Sequence, residues 1–285
     1  MSLRSTEGIE MKNFLTLTTI LSLTTLLGLP LSVIGSESVS YRLYGLDNSN
    51  QSQIFMIEPT NNFVVKPLNQ KNNNHNLNSL ALSPTGKLYA ISSNNPKNTD
   101  SKGQIYQIDT KSGLLSEVCQ IAHNDEVSAI AFHRDGSLWA WIKGQKLVKV
   151  DKINPNEKTC TITTQLPINY NIKDISWNKE GTRIYAAHTT NNVVKTDIWA
   201  CDYHPTENQL KPSTCMTVCT IDEPVEAIEM LPNGKLMFSL HKSENWSLHA
   251  LDIDTCQVDI SLGINTIQAD GSSYNQIESV VFDLK

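Results

Sequence analysis

Asn78, Ser128, Lys173 and Glu226 each stand eight residues ahead of a glycine, directly after an apolar residue that opens a β-like run, and Glu278 takes the equivalent place near the C-terminus. Five polar side chains at one repeated position could converge on a polar ligand. Two of them, Glu226 and Glu278, are carboxylates, and Asp174 and Glu229 lie close by in sequence. Such groups suit a general acid and base, or ligands for a divalent cation. A second set ends the next apolar run of each unit: Asp47, Ser92, Ile142, His188 and His241. The candidate ligand-binding residues are therefore Asp47, Lys173, His188, Glu226, His241 and Glu278, with Glu226 and Glu278 as acid and base if the site is catalytic.

A repeat would bring these residues together. Leu77 to Ile91, Val127 to Trp141, Ile172 to Ala186 and Val225 to Ser239 share one pattern of apolar strand, glycine turn and second apolar strand. The turn glycines Gly86, Gly136, Gly181 and Gly234 are 50, 45 and 53 residues apart, each preceded by a residue suited to a tight hairpin. A third strand then ends at Asp109, Asp151, Asp202 and Asp252, and a fourth follows each, so one period holds about four strands. Residues 41 to 68 hold only the later strands of a unit, and Ile277 to Asp283 only a first strand. Two half-units add to a whole if the last strand pairs beside the first, which also removes the exposed sheet edge. The expectation is an all-β chain. Residues 40–285 form one β-propeller of about five four-stranded blades, closed by pairing of the C-terminal strand with the N-terminal blade. In that register the first strand of each blade lines the central channel. Lys173, His188, Glu226, His241, Glu278 and Asp47 then gather in one sector of one mouth.

The turn Ser83-Pro84-Thr85-Gly86-Lys87-Leu88-Tyr89 resembles the Ser-Pro-Asp-Gly-x-Leu-Tyr turn of secreted WD40-like and YVTN-type propellers. The resemblance covers roughly residues 40 to 285 and implies architecture, not activity, because one fold hosts many functions. The Trp-Asp dipeptide and Gly-His pair of true WD40 repeats are absent.

The N-terminal segment implies export. From Met11 a short polar start leads into an apolar run, Phe14 to Leu29, then Pro30 and Gly35. This is the layout of a secretory signal peptide over residues 1–35, with Met11 as an alternative start. A membrane anchor fits less well, since five threonines thin the run and Gly28 and Pro30 interrupt it. A secreted or periplasmic monomer with no stable membrane span after cleavage is expected. The six cysteines, Cys119, Cys160, Cys201, Cys215, Cys219 and Cys256, then have a compartment in which to pair. Cys201 and Cys215 would face one another on neighbouring strands of one blade, and the other pairings stay open. The C-x3-C spacing of Cys215 and Cys219 has no partner pair for zinc.

The net charge of −6 and sequence pI near 5.6, with no basic cluster, argue against nucleic acid. No Gly-x-Ser-x-Gly elbow, His-Glu-x-x-His helix or phosphate loop is present, and no cofactor motif, although a divalent cation is compatible with the carboxylates. The sequence favours a binding scaffold for a protein, glycan or small ligand. The alternative is a carboxylate-dependent hydrolase, glycoside hydrolase-like or metal-assisted, in the same mouth.

Overall fold

The computed structural model describes residues 41–47, 52–58, 64–68, 75–92, 102–121, 125–154, 158–167, 170–189, 195–242, 245–259 and 277–284. Their regular structure is all strand, apart from one 3-10 turn at Pro212–Thr214. The leader expected over residues 1–35 lies outside the described residues.

The first strands are β1 (Tyr41–Asp47), β2 (Gln53–Glu58) and β3 (Val64–Pro67). Next come β4 (Leu77–Leu82), β5 (Leu88–Ser92), β6 (Gln104–Ile108) and β7 (Leu115–Gln120). They are followed by β8 (Val127–Phe132), β9 (Leu138–Ile142), β10 (Lys146–Asn154) and β11 (Thr159–Leu166). The third group is β12 (Ile172–Trp177), β13 (Arg183–Thr189), β14 (Thr196–His204), β15 (Gln209–Leu210) and β16 (Met216–Ile221). The chain ends with β17 (Val225–Met230), β18 (Leu236–Lys242), β19 (Asn245–Asp252), β20 (Gln257–Asp259) and β21 (Ile277–Leu284).

The glycine turns work as the spacing predicts. Gly86, Gly136, Gly181 and Gly234 all adopt positive φ, and each amide donates to the carbonyl three residues back, at 2.9 Å. That one turn, used four times, folds β4 on β5, β8 on β9, β12 on β13 and β17 on β18. Two sheets have the orders β21-β1-β2-β3 and β17-β18-β19-β20. In a third, β12-β13-β14, both β15 and β16 pair with β14. The fourth runs β4-β5-β6-β7-β11-β10-β9-β8, joined in its middle by a single parallel bridge, Thr159 to Gln120. Its two end strands, β4 and β8, pack against each other, so this sheet nearly closes on itself. The C-terminal strand does pair with the N-terminal one, from Tyr41 opposite Leu284 to Asp47 opposite Ile277.

The first strands pack in a cycle: β21 against β4, β4 against β8, β8 against β12, β12 against β17 and β17 against β21. Edge strands leave backbone N–H groups unpaired, and here side chains of one strand satisfy those of the next. The Leu80 amide donates to the Ser279 hydroxyl and the Ile130 amide to that of Ser79 (3.0 and 3.1 Å). The Ile228 amide donates to Asp174, the Met230 amide to Ser176 and the Phe282 amide to Glu229 (3.1, 3.0 and 3.3 Å). From β8 to β12 the matching places hold Ala129 and Ala131. That seam is filled instead by Trp139, Trp141, Trp177, Trp199 and Tyr203.

Apolar side chains pack between successive sheets, and residues Glu37–Lys285 form one compact unit. Gly45 has a local reason: a Cβ there would lie 2.1 Å from the ring of Phe55, its cross-strand neighbour, which covers it. Disulfides staple the outer strands. Cys201–Cys215 bridges as expected, with Cys215 just ahead of β16 rather than on it, while Cys119–Cys160 links β7 to β11 and Cys219–Cys256 links β16 to the turn after β19. Among the described residues no helix is long and apolar enough to cross a membrane.

Candidate functional site

All five repeated polar residues sit at β-bulges. Leu77 pairs with Ser92 and Ser79 with Ile91, which leaves Asn78 as the extra residue, and Ser128 is left over in the same way between Val127 and Ala129. The register slips by one between Ile172 and Ile175, around Lys173, and between Val225 and Ile228, around Glu226. On the closing strand Ser279 faces Leu46 while Ile277 faces Asp47, so Glu278 is the extra residue. A bulge kinks the strand and re-aims the side chain it inserts. Five kinks therefore fall at the same point of five cyclically packed strands.

Several of these side chains meet. Lys173 Nζ lies 2.8 Å from Glu226 Oε2, with 32% and 19% of the two side chains exposed, so the pair is partly desolvated yet reachable from solvent. Burial opposes the charge on Lys173, but the carboxylates of Glu226, Glu278 and Glu126 overcome it and raise the ammonium above its ordinary pKa. Asn78 Nδ2 donates to the Val127 carbonyl (3.2 Å) and to Glu126 Oε1 (3.4 Å), and Glu126 pairs with Lys143 at 2.9 Å. Glu278 is pushed up to about 7, first by burial and then by the charge of Glu226, with Asp47 adding to it and Lys173 and Lys143 opposing it. The structure thus brings Lys173, Glu226, Glu278 and Asp47 into one electrostatic neighbourhood.

His188 is adjacent in strand register, opposite Ile172, but turns to another partner. Its ring packs on Tyr170 with centroids 4.7 Å apart, burial lowers its pKa, and the charge that opposes this is that of Asp197. His241 pairs with Trp246 through the backbone, and its side chain lies outside the described residues. Glu126 and Lys143 are members that sequence reasoning missed. Both flank the β8–β9 hairpin at its open end, two residues before Ser128 and one after Ile142, so the repeat register held the signal.

Farther along the same strands lies a cavity of about 80 Å³ lined by Leu80, Ile130, Asp174, Ser176, Glu229 and Val281 among others. At ~10–15 Å³ for each water centre it has room for several waters. Asp174 accepts from Ser79 Oγ at 3.3 Å, and Glu229 from Ser176 Oγ at 2.9 Å. Burial raises Asp174 well above the carboxylate range and Glu229 to about 7. These two carboxyls tie neighbouring strands, so they are occupied differently from Glu226 and Glu278. Among the described residues no group of three or more His, Cys, Asp and Glu side chains is placed to hold a metal ion.

No family model and no curated protein matches the chain. Among solved structures it is similar to the one titled as a Nidogen/Laminin complex, at 10% identity and a TM-score of 0.53 over 85% of this chain and 98% of that one. It is also similar to XC5397 from Xanthomonas campestris, titled a gluconolactonase, at 10% identity and a TM-score of 0.53, covering 87% of each chain. At such identity the likeness is one of fold alone. It establishes for this chain an all-β, propeller-like architecture.

Proposed function

We propose that this chain is an exported propeller of five four-stranded blades, of the secreted WD40-like or YVTN-type kind. It binds a protein, glycan or small ligand at the mouth ringed by Asn78, Ser128, Lys173, Glu226 and Glu278. One observation carries the reading: five bulges in five cyclically packed strands present five polar side chains at one end of the ring. Bulges of this kind cost ladder hydrogen bonds and recur beside binding sites. Three disulfides and the leader-like N-terminus support a secreted or periplasmic location. Asp47 adds its charge beside Glu278 in the same mouth.

The test is a thermal-shift screen of the full chain with neutral sugars, cationic amines and carboxylates, repeated on Lys173→Met and Glu226→Gln. A ligand that stabilises the wild type and loses its effect in both variants supports the mouth. Stabilisation that persists in both, or no stabilising ligand in any class, overturns it.

A specific observation favours one second reading. Glu278, near 7, can hold a proton beside Glu226, which is the arrangement of an acid and a base. A carboxylate-dependent hydrolase would cleave aryl glycosides with a bell-shaped pH profile, and both Glu226→Gln and Glu278→Gln would abolish turnover. Turnover unchanged in either variant removes this reading.

A further inference from the structure

We infer that the ligand of this mouth carries a primary ammonium group beside a hydroxyl, as amino alcohols and amino sugars do. The inference rests on the mouth reading above and comes from which groups of the ring are left over. The donors are committed: Lys173 to Glu226, Lys143 to Glu126, and Asn78 to Glu126 and the Val127 carbonyl. Two ring groups have neither a hydrogen bond nor an ion pair among the described residues: Glu278, and the Ser128 hydroxyl, which is 92% buried.

Both leftover groups stand in the ring, at the bulges of β21 and β8, with β4 between them in the cycle. A ligand must reach across Asn78 to touch both. Glu126 pairs with Lys143 and Glu226 with Lys173, so among the described residues the ionised form of Glu278 has no ion-pair partner of its own. The imbalance is negative. An anion would meet the unpaired Glu278 carboxylate, and a neutral polyol would leave its charge in place. An ammonium ion supplies both the missing charge and the missing donors, since it offers three N–H groups and no acceptor. The Ser128 hydroxyl, donor and acceptor at once, matches a neighbouring ligand hydroxyl.

Proton balance follows from the same geometry. Glu278 near 7 is largely protonated in mild acid, and an arriving ammonium favours its ionised form. The Glu278 proton passes to solvent, and the ligand keeps its own. Binding at about pH 6.5 therefore releases protons, and the release fades above the pKa of Glu278.

The experiment is calorimetry of the full chain with glucosamine and ethanolamine, and with glucose as the uncharged counterpart, in buffers of different ionisation enthalpy at about pH 6.5. Saturable binding of an amine, at least about tenfold tighter than glucose and with proton release, is expected. Glu278→Gln, near-isosteric and uncharged, should abolish the proton release and weaken binding about tenfold or more, as loss of a charged partner does. Ser128→Ala should weaken binding by less and keep the release. Equal binding of glucosamine and glucose, no binding of either amine, or full affinity in Glu278→Gln overturns the inference. If glucose binds as well as the amines but loses affinity in Lys173→Met, the mouth survives and only the ammonium class fails. Amine binding unaffected by every ring variant removes both.

Discussion

Strand β8 runs from Val127, beside Ser128, to Phe132, beside His133, and its two ends are built on opposite principles. At the Ser128 end the hydroxyl has no partner among the described residues, and Glu278 nearby in the ring has none either. At the other end both ring nitrogens of His133 are engaged, and the buried indole N–H of Trp177 is the group of this nest without a partner among the described residues. His133 Nε2 donates to the Gly181 carbonyl at 2.7 Å while its ring packs edge-on against Trp177 and Tyr203, with centroids 4.7 and 5.0 Å away. Asp135 lies 2.9 Å from His133 Nδ1, and Lys149 Nζ and the Tyr203 hydroxyl both donate to Asn208 Oδ1 (2.5 and 2.7 Å). Composition does not separate these clusters, since each mixes acids, bases and amides. Saturation of the central groups does: His133 has partners on both ring nitrogens and holds a seam together, whereas Ser128 and Glu278 have none among the described residues and leave room for a ligand.

The sharpest way to break the comparison is at the saturated end. Gly181 has φ +64 and a Cβ there would stand 2.4 Å from His133 Nε2, whereas the same atom at Gly86 meets nothing within 4 Å. Gly181→Ala should therefore lower unfolding stability by about 3 kcal/mol, adding a clash to the backbone strain. Gly86→Ala should cost only about 1 kcal/mol, the left-handed strain alone. Equal losses in urea titrations would mean that the His133 network does not constrain the turn.

His133→Ala comes next. It empties a buried aromatic nest and leaves the Gly181 carbonyl without its donor, for about 2–3 kcal/mol of lost stability. Affinity for any mouth ligand should be unchanged. A matching loss of affinity would join the two ends into one site.

The pH profile tests the carboxyls that lie between. Glu229 and Glu278 have folded-state values near 7 against an ordinary 4.5, and Asp174 is raised too. These are acids favoured in the neutral form, so their stabilisation is complete below 4.5 and is lost as pH rises to about 7. Asp135 runs the other way. Burial would raise it, but Ser137 and His133 bring it down to about 2, so its contribution is present above 3.8 and is lost as pH falls toward 2. Together they place the stability maximum in mild acid. Glu229→Gln should flatten part of the decline and stabilise the chain at pH 8 by about 1–3 kcal/mol, less than the full linkage value because the adjoining cavity has room for water to screen the charge. A wild type whose thermal midpoint climbs from pH 5 to 7 would contradict this.

The smallest effect is the most pointed. Ser128→Ala removes a buried hydroxyl that has no partner, so stability should change by less than about 0.5 kcal/mol or rise slightly. A loss beyond about 1 kcal/mol would show that Ser128 is saturated like His133.

Much of the architecture was legible in the residues. The recurring glycines required positive φ, which at Gly86, Gly136, Gly181 and Gly234 only a tight turn supplies, and the apolar alternation on either side named the strands they join. The half-units at the two ends implied pairing of β21 with β1. The site was legible by register alone: alternation marks which face a residue occupies, but Asn78, Ser128, Lys173, Glu226 and Glu278 lie at bulges, where alternation fails. His188 shows the limit. Its register put it near the mouth, while its ring settled on Tyr170, a choice of rotamer and not of spacing.

What the sequence by itself determined is therefore everything carried by local chemistry: strands, turns, the repeat and its closing strand. Only the tertiary structure decided which side chains touch across strands far apart in the chain. It paired Cys119 with Cys160 and Cys219 with Cys256, and set Asp174 and Glu229 to cap neighbouring amides while Glu278 was left open. Local preferences act over a few residues and can be read in order. Saturation of a polar group depends on partners some 50 or more positions away, as between Asp174 and Ile228, and exists only once the strands have packed.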